Sequence, residues 1–278
     1  MTRLSIGFSP CPNDTYMFYP FMHGLLPSLE GILFDETIDD VETLNKLALR
    51  GTLDITKVSY AVLGHITDQY VLLKAGSALG HGCGPLLVTS PSAPAALLDY
   101  PIAIPGEHTT AALLLQLYTN GCAKTITMPF HMIPGAVARG EVAGGVIIHE
   151  SRFTYHQLGL ISVQDLGIWW EETTQLPLPL GGIVAKRSLG KELLQRLEQS
   201  LTQSVIYSKN HPEDAQDYIT HHAQEMDPAV CKAHISLYVN AFSESLGSTG
   251  EQAVTELLSR GREAGLIPSQ RKPLFISG

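Results

Sequence analysis

Seven side chains in this sequence are of types and at places that could do chemistry together. His149 ends the apolar run "GGVIIH" within "GEVAGGVIIHESRFTY", Gly140 to Tyr155. An imidazole has an unperturbed pKa of about 6.5, so it can be neutral and take a proton near neutral pH. Lys57 and Ser59 follow an apolar run in "LDITKVSYA", and Thr109 and Thr110 follow another in "PIAIPGEHTTAA". Asn13 and Asp14 open a helical stretch after "RLSIGFSPCP". Hydroxyls and a lysine near helix starts suit a small anion, because the first turn of a helix offers unpaired N–H groups and the positive end of its dipole. The pattern therefore reads as a site for a small carboxylate with one base beside it.

These residues need elements to hold them. Strand-like and helix-like stretches alternate over the first two-thirds of the chain: "RLSIGFS", "NDTYMFYPFMHG", "GILFDETID", "DVETLNKLALRG", "LDITKVS", "YAVLGHITDQY" and "GPLLVTS". That alternation predicts βαβ units on a mainly parallel sheet. "SPSAPAALLDYP" is rich in Pro, Ser and Ala and reads as a boundary. A second α/β set follows: "PIAIPG", "TTAALLLQLYTNG", "ITMPF", "MIPGAVARG" and "AGGVIIH". "LPLPLGGIVAKRS" reads as an extended return segment. The rest is helical, with Leu194, Leu197, Leu201 and Val205 on one face, Asp227 capping before Pro228, and Gly265 ending a last helix that carries Val254, Leu257 and Leu258.

This layout predicts two α/β lobes. Residues 1-90 and 180-278 form a first, discontinuous lobe, and 91-179 a second lobe inserted into it, with the crossings and hinge near Ser90 and Leu180. In open α/β sheets, ligands bind at the carboxyl ends of the strands. His149 and the three helix starts all lie at such ends, so they are expected to line one cleft between the lobes.

Each residue also has a plain alternative. Ser, Thr, Asn and Asp at helix starts commonly act as N-caps. A lysine is commonly a solvated surface residue, and a lone histidine commonly belongs to the core. The functional reading rests on convergence of several polar junctions in one crevice. It expects the Thr109 and Thr110 hydroxyls to meet the anion, so that Val in their place lowers affinity and leaves melting unchanged. His221 with His222, and His81 near Cys83, read as surface or loop residues, and Trp169 with Trp170 as packing at the lobe edge.

The bulk composition narrows the partners. Of 278 residues, 44% are hydrophobic and 16% charged, which is a globular composition with room for two domains. Lys and Arg number 18 against 27 Asp and Glu, a net charge of −9 with no basic stripe, so neither nucleic acid nor an anionic membrane is an expected partner. No 18-residue apolar span and no signal-peptide pattern is visible, which points to the cytoplasm. Cys11, Cys83, Cys122 and Cys231 are widely spaced without a C-x-x-C, so neither zinc nor a disulfide framework is expected. Without a Gly-x-Gly-x-x-Gly after the first strand or a Walker loop, no nucleotide cofactor is expected.

"GFSPCPNDTYMF", "DVETLN", "KVSYA", "GEHTTA", "VIIHESRFTY", "DLGIWWEETTQLPLPLGG" and "YVNAFS" together closely resemble the 1,4-dihydroxy-6-naphthoate synthase family of menaquinone biosynthesis by the futalosine route. The resemblance covers nearly the whole chain in the family's order, and "SPCPNDT" and "IIHESRFTY" carry most of its specificity. It implies a two-lobe type 2 periplasmic-binding-protein fold and a cofactor-independent lyase. The implied reaction splits cyclic dehypoxanthine futalosine into 1,4-dihydroxy-6-naphthoate and dihydroxyacetone. It places the proton-abstracting histidine on His149. The substrate-binding segments fall on Lys57, Val58 and Ser59, Val58 acting through its backbone, and on Thr109 and Thr110. Asn13 and Asp14 stand behind them. A homodimer is compatible with this reading. Two alternatives share the fold: a non-catalytic solute-binding protein for a small carboxylate, and the chorismate dehydratases, which the resemblance separates by the His-Glu pair at the end of the strand.

Overall fold

A computed structural model describes residues 2–223 and 227–276 of the chain. The chain begins β1 (Thr2–Phe8), α1 (Pro12–Met22), β2 (Ile32–Ile38), α2 (Val41–Leu49) and β3 (Ile55–Ser59). A short helix α3 (Leu63–Ile66) leads to β4 (Tyr70–Leu72), β5 (Ala78–Gly80) and β6 (Leu86–Thr89). Next come β7 (Ile102–Ile104), α4 (Thr110–Tyr118), β8 (Thr125–Thr127), α5 (Ile133–Ala138), β9 (Gly144–Ile147) and α6 (Ser151–Thr154). β10 (Ile161–Asp165), α7 (Leu166–Thr174) and β11 (Leu178–Lys186) complete the sheets. The C-terminal helices are α8 (Lys191–Asn210), α9 (Gln216–His222), α10 (Pro228–Tyr238), α11 (Ala241–Glu244) and α12 (Gly247–Glu263).

The strands make two sheets. The first has the order β2-β1-β3-β11-β4, with β5 also paired to β11; the second has the order β10-β6-β9-β7-β8. β1 runs parallel to β2 and β3, and β7 parallel to β8 and β9, as the βαβ reading expects. β11 is antiparallel to β3, β4 and β5, and β6 is antiparallel to β9 and β10. The sheets are therefore mixed rather than mainly parallel, and the registers show why. Gly181, near the start of β11, lies opposite Ser59, the last residue of β3. Leu86, the first residue of β6, lies opposite Ile147, the last of β9. Each strand that arrives from the other sheet enters at the carboxyl edge of the parallel strands and must run away from it.

The boundary expected at residue 90 moves. "GPLLVTS" was expected in the first lobe, but β6 pairs in the second sheet, so the first crossing lies between Gly80 and Leu86. The second lies between Thr174 and Leu178, and Leu180 is already inside β11. The Pro/Ser/Ala-rich stretch that read as a boundary is a surface connection leading to β7, with a single 3₁₀ turn at Leu97–Asp99. At the true crossing, Gly84 lies against α7: a Cβ on Gly84 would come within 2.3 Å of the Gly167 backbone, so no other residue fits there.

Local chemistry accounts for most helices. Asp40 caps α2 by accepting from Glu42 N and Thr43 N at 2.9 and 3.1 Å. Asp227 caps α10 ahead of Pro228, as expected from sequence. Leu194, Leu197, Leu201 and Val205 form the buried face of α8. "YAVLGHITDQY" was expected as one helix; it is a 3₁₀ turn at Tyr60–Val62, then the four-residue α3, then β4. Gly64 and the β-branched Ile66 and Thr67 have weak helical preference, so packing decides there. Trp170, expected at a lobe edge, is fully buried, and its indole N–H donates to Pro177 O at 3.2 Å. One core cluster runs through both lobes, joining Val58 and Val184 of the first sheet to Ile102 and Val146 of the second.

Candidate active site

A cavity between the two sheets encloses about 670 Å³, its solvent mouth included. Asn13, Asp14, Lys57, Val58, Ser59, Thr109, Thr110 and His149 all line it, so the structure brings together every site residue expected from sequence. They arrive from the carboxyl edges of β1, β3, β7 and β9, the edge where the chain crosses between sheets.

His149 lies two residues past β9 with φ of +56°, a left-handed conformation that a histidine seldom adopts. Such a residue carries about 1–3 kcal/mol of strain, so its surroundings must hold it. Arg152 does part of this. Its backbone N–H donates to His149 O at 3.2 Å, and its guanidinium bonds Gly84 O at 2.5 Å and Asp165 Oδ2 at 2.6 Å. The turn that carries the imidazole is thereby tied to the first crossing and to the N-cap of α7. Phe130 meets the ring edge-on, with centroids 5.0 Å apart.

Across the cleft, Cys11 Sγ lies 3.4 Å from His149 Nδ1. Burial, with the Glu150 charge adding to it, holds the Cys11 thiol well above its ordinary pKa. The pair is therefore a thiol beside a neutral imidazole, not the thiolate–imidazolium couple of a cysteine nucleophile. Burial also lowers the His149 pKa, against the opposing charges of Glu150 and Asp14. The imidazole stays neutral at neutral pH and is competent as a base.

Lys57 is not the surface lysine that base rates favour. Its ammonium bonds Asp14 Oδ1 at 2.9 Å and Gly76 O at 3.2 Å, and the side chains of the pair are 6% and 3% exposed. Asp14 also accepts from Ser9 Oγ at 2.7 Å and Asn13 Nδ2 at 2.8 Å. The positive charge expected to face an anion is thus balanced inside the chain, which leaves Lys57 one of its three N–H donors for a ligand. Asn13 and Asp14 do not cap α1, whose N-cap is Cys11; Asp14 holds Lys57, and Asn13 donates to Asp14.

Ser59 is built differently. Its N–H donates to Asn45 Oδ1 at 2.9 Å, and its Oγ accepts from Asn45 Nδ2 at 3.2 Å. The serine keeps its own hydroxyl proton for a ligand. Asn45, in the middle of α2, carried no separate signal within "DVETLN".

The two threonines line the cavity, and both hydroxyls also bond within the chain. Thr109 Oγ1 donates to Gly106 O at 2.8 Å and accepts from Ala112 N at 3.2 Å as the N-cap of α4. Thr110 Oγ1 donates to Leu180 O at 2.6 Å and accepts from Ala61 N at 3.3 Å. Both hydroxyls are committed, Thr110's to β11 and the turn after β3. What α4 offers the cavity is its first-turn backbone N–H groups, those of Thr110 and Ala111. The loop before α4 docks on α2 in the same region. Glu42 accepts from His108 N at 3.2 Å and lies 3.1 Å from His108 Nδ1, and a Cβ at Gly106 would come within 2.4 Å of Glu42.

Sequence reasoning missed Cys11, Asn45, His234 and Tyr238, the last two from α10. Cys11 stands beside Asn13 within "SPCPNDT" and could have been found there, whereas no spacing tied His234 and Tyr238 to the cleft, because α10 lies far along the chain. Among the described residues no group of three His, Cys, Asp or Glu is placed to hold a metal, and no helix is long and apolar enough to cross a membrane.

Residues 4–263 match the family described as menaquinone biosynthesis. The chain is 48% identical over 276 residues to a Thermus thermophilus protein named 1,4-dihydroxy-6-naphthoate synthase, covering 99% of this chain and 100% of that one. It is 46% identical over 271 residues to a Streptomyces coelicolor protein of the same name, covering 96% and 95%. A crystal structure of an Archaeoglobus fulgidus protein matches with a TM-score of 0.89 at 32% identity, over 95% of this chain and 98% of that one. A Candida albicans protein described as having the generic periplasmic binding protein fold matches at 0.62 with 10% identity, over 98% and 99%, a likeness of fold alone.

Proposed function

This chain belongs to the menaquinone biosynthesis family and groups with its 1,4-dihydroxy-6-naphthoate synthases, and from that premise we propose that it is a carbon–carbon lyase. Its substrate in this reading is cyclic dehypoxanthine futalosine, and its products are 1,4-dihydroxy-6-naphthoate and dihydroxyacetone. The observation that carries the proposal is His149, held neutral and strained in a cavity between the lobes, with hydrogen-bond donors around it. His149 takes a proton from the bound substrate. The carbon–carbon bond to the three-carbon fragment breaks, and the bicyclic ring becomes aromatic. The atoms of the two products are those of the substrate, so no oxidant, reductant or water is required.

The remaining donors hold the carboxylate: the Ser59 hydroxyl, the free Lys57 N–H and the amides of Thr110 and Ala111. An anion is favoured there despite the net charge of −9, because the local dipole and donors set the field. Incubating the pure protein with cyclic dehypoxanthine futalosine and following mass spectra tests this. Naphthoate should accumulate without added cofactor. A folded protein that binds the substrate and leaves it intact would instead be a solute-binding relative.

A further inference from the structure

We propose that His234, on α10, is a second imidazole of this site: a neutral hydrogen-bond donor to an oxygen of the bound substrate. The proposal rests on the lyase reading above.

His234 lines the cavity, and the residue is 1% exposed. Neither Nδ1 nor Nε2 has a hydrogen-bond partner, and no other buried side-chain nitrogen or oxygen among the described residues is left in that state. Burying an imidazole with both nitrogens unpaired is costly, so a core-filling role favours Phe or Leu at this position instead. The neighbours do not relieve it. Tyr238 packs with its ring centroid 4.6 Å away, but its hydroxyl donates to Cys83 O at 3.2 Å. The His149 ring is 6.2 Å away, centroid to centroid, and has Cys11 at its Nδ1. An unpaired group that borders the cavity beside the proposed base is placed to be satisfied by what the cavity holds.

The chemistry of a neutral imidazole fits. Burial, with His149 adding to it, keeps His234 uncharged. The ring then offers one N–H donor and one lone pair. When His149 removes a proton, electron density moves through the substrate towards its oxygens. A fixed donor aimed at such an oxygen lowers the barrier, and an uncharged imidazole is suited to this without giving up its proton.

The test compares wild type, His234→Phe and His234→Asn for melting temperature and for turnover of cyclic dehypoxanthine futalosine. Phe keeps the ring volume and removes both nitrogens. The expected result is a Phe variant that melts no lower than wild type and whose kcat falls about 100-fold or more, the usual loss of one such donor. Asn should recover part of that loss. The acid limb of kcat/KM should stay in place, because His149 sets it. A folded Phe variant that turns over within threefold of wild type overturns the proposal.

If the Phe variant does not fold, wild-type protein labelled with ¹⁵N in its histidine rings gives the answer. Adding 1,4-dihydroxy-6-naphthoate should shift the His234 ring N–H signal. A signal identical with and without naphthoate, as an internal water would produce, overturns the proposal. Wild-type protein that releases no naphthoate contradicts the lyase reading instead, and the labelled-ring measurement still decides whether His234 meets the ligand.

Discussion

His149 combines two properties that are costly to the fold and useful to a base: a left-handed backbone and a buried, uncharged ring. His149→Asn isolates the second. Asn tolerates the left-handed region and keeps some hydrogen bonding but cannot act as the base. Its kcat should fall by about 10²–10⁴, with product affinity and melting temperature near wild type, as measured by steady-state kinetics and calorimetry. The acid limb of wild-type kcat/KM should lie below about 6.5, the ordinary histidine value, because burial lowers the His149 pKa. The same sign governs stability. The folded pKa values of His149 and His234 are depressed, so the unfolded chain binds protons first. The melting temperature should therefore drop as pH falls below about 6.5, and His234→Phe should weaken that dependence. The placement of these residues was legible in the sequence because His149, Ser59 and the threonines lie at strand ends or in the short connections after them. Their hydrogen bonds were not, because Asp14 meets Lys57 across 43 positions and Cys11 meets His149 across 138.

The elements with strong local signals matched expectation: capped α2 and α10, the apolar face of α8, and the β1, β3, β7 and β9 strands. The misses were β4 and β5, three residues each, and the broken helix after Ser59, where the fold outweighs propensity. Strand direction was also illegible, because a strand entering from the other lobe has the same composition as one in a βαβ unit. The α4 N-terminus shows what element-level reading can mistake. Its threonines read equally as caps or as ligands, and both hydroxyls carry bonds within the chain that the sequence did not show. Thr110→Val leaves Leu180 O and Ala61 N without their partner. That should cost about 1–3 kcal/mol. At about 2–4 °C per kcal/mol for a chain of this size, melting should fall by several degrees. Ser59→Ala should weaken naphthoate binding and lower melting less than Thr110→Val does, because Asn45 Nδ2 loses Ser59 Oγ but keeps His108 O at 3.2 Å. A Thr110→Val protein that melts like wild type would show that the bond to β11 carries no stability.

At the scale of the molecule, two lobes meet through one continuous core and through bonds such as Glu42 with His108 and Thr110 with Leu180. We place the hinge at the crossings on either side of the second sheet, at 81–85 and 175–177, rather than near Ser90 and Leu180. Parting of the lobes there would open the cleft to its ligand. Small-angle scattering should show a smaller radius of gyration with saturating naphthoate than without it. Equal values would mean that the cleft admits its ligand without lobe motion. The division of the strands into two sheets was visible in sequence from the repeated α/β pattern. The crossing itself was hidden, because Gly82, Gly84 and Pro85 are too few to stand out beside the longer Pro/Ser/Ala-rich stretch.

We propose that His149 drives a carbon–carbon cleavage in this cleft. A single-turnover experiment with excess enzyme tests it most directly, following cyclic dehypoxanthine futalosine, naphthoate and dihydroxyacetone together for wild type and His149→Asn. Wild type should give equal amounts of the two products, and the variant a rate at least 100-fold lower despite normal substrate binding. Cleavage by the variant at the wild-type rate, or naphthoate formed without the three-carbon product, would contradict it.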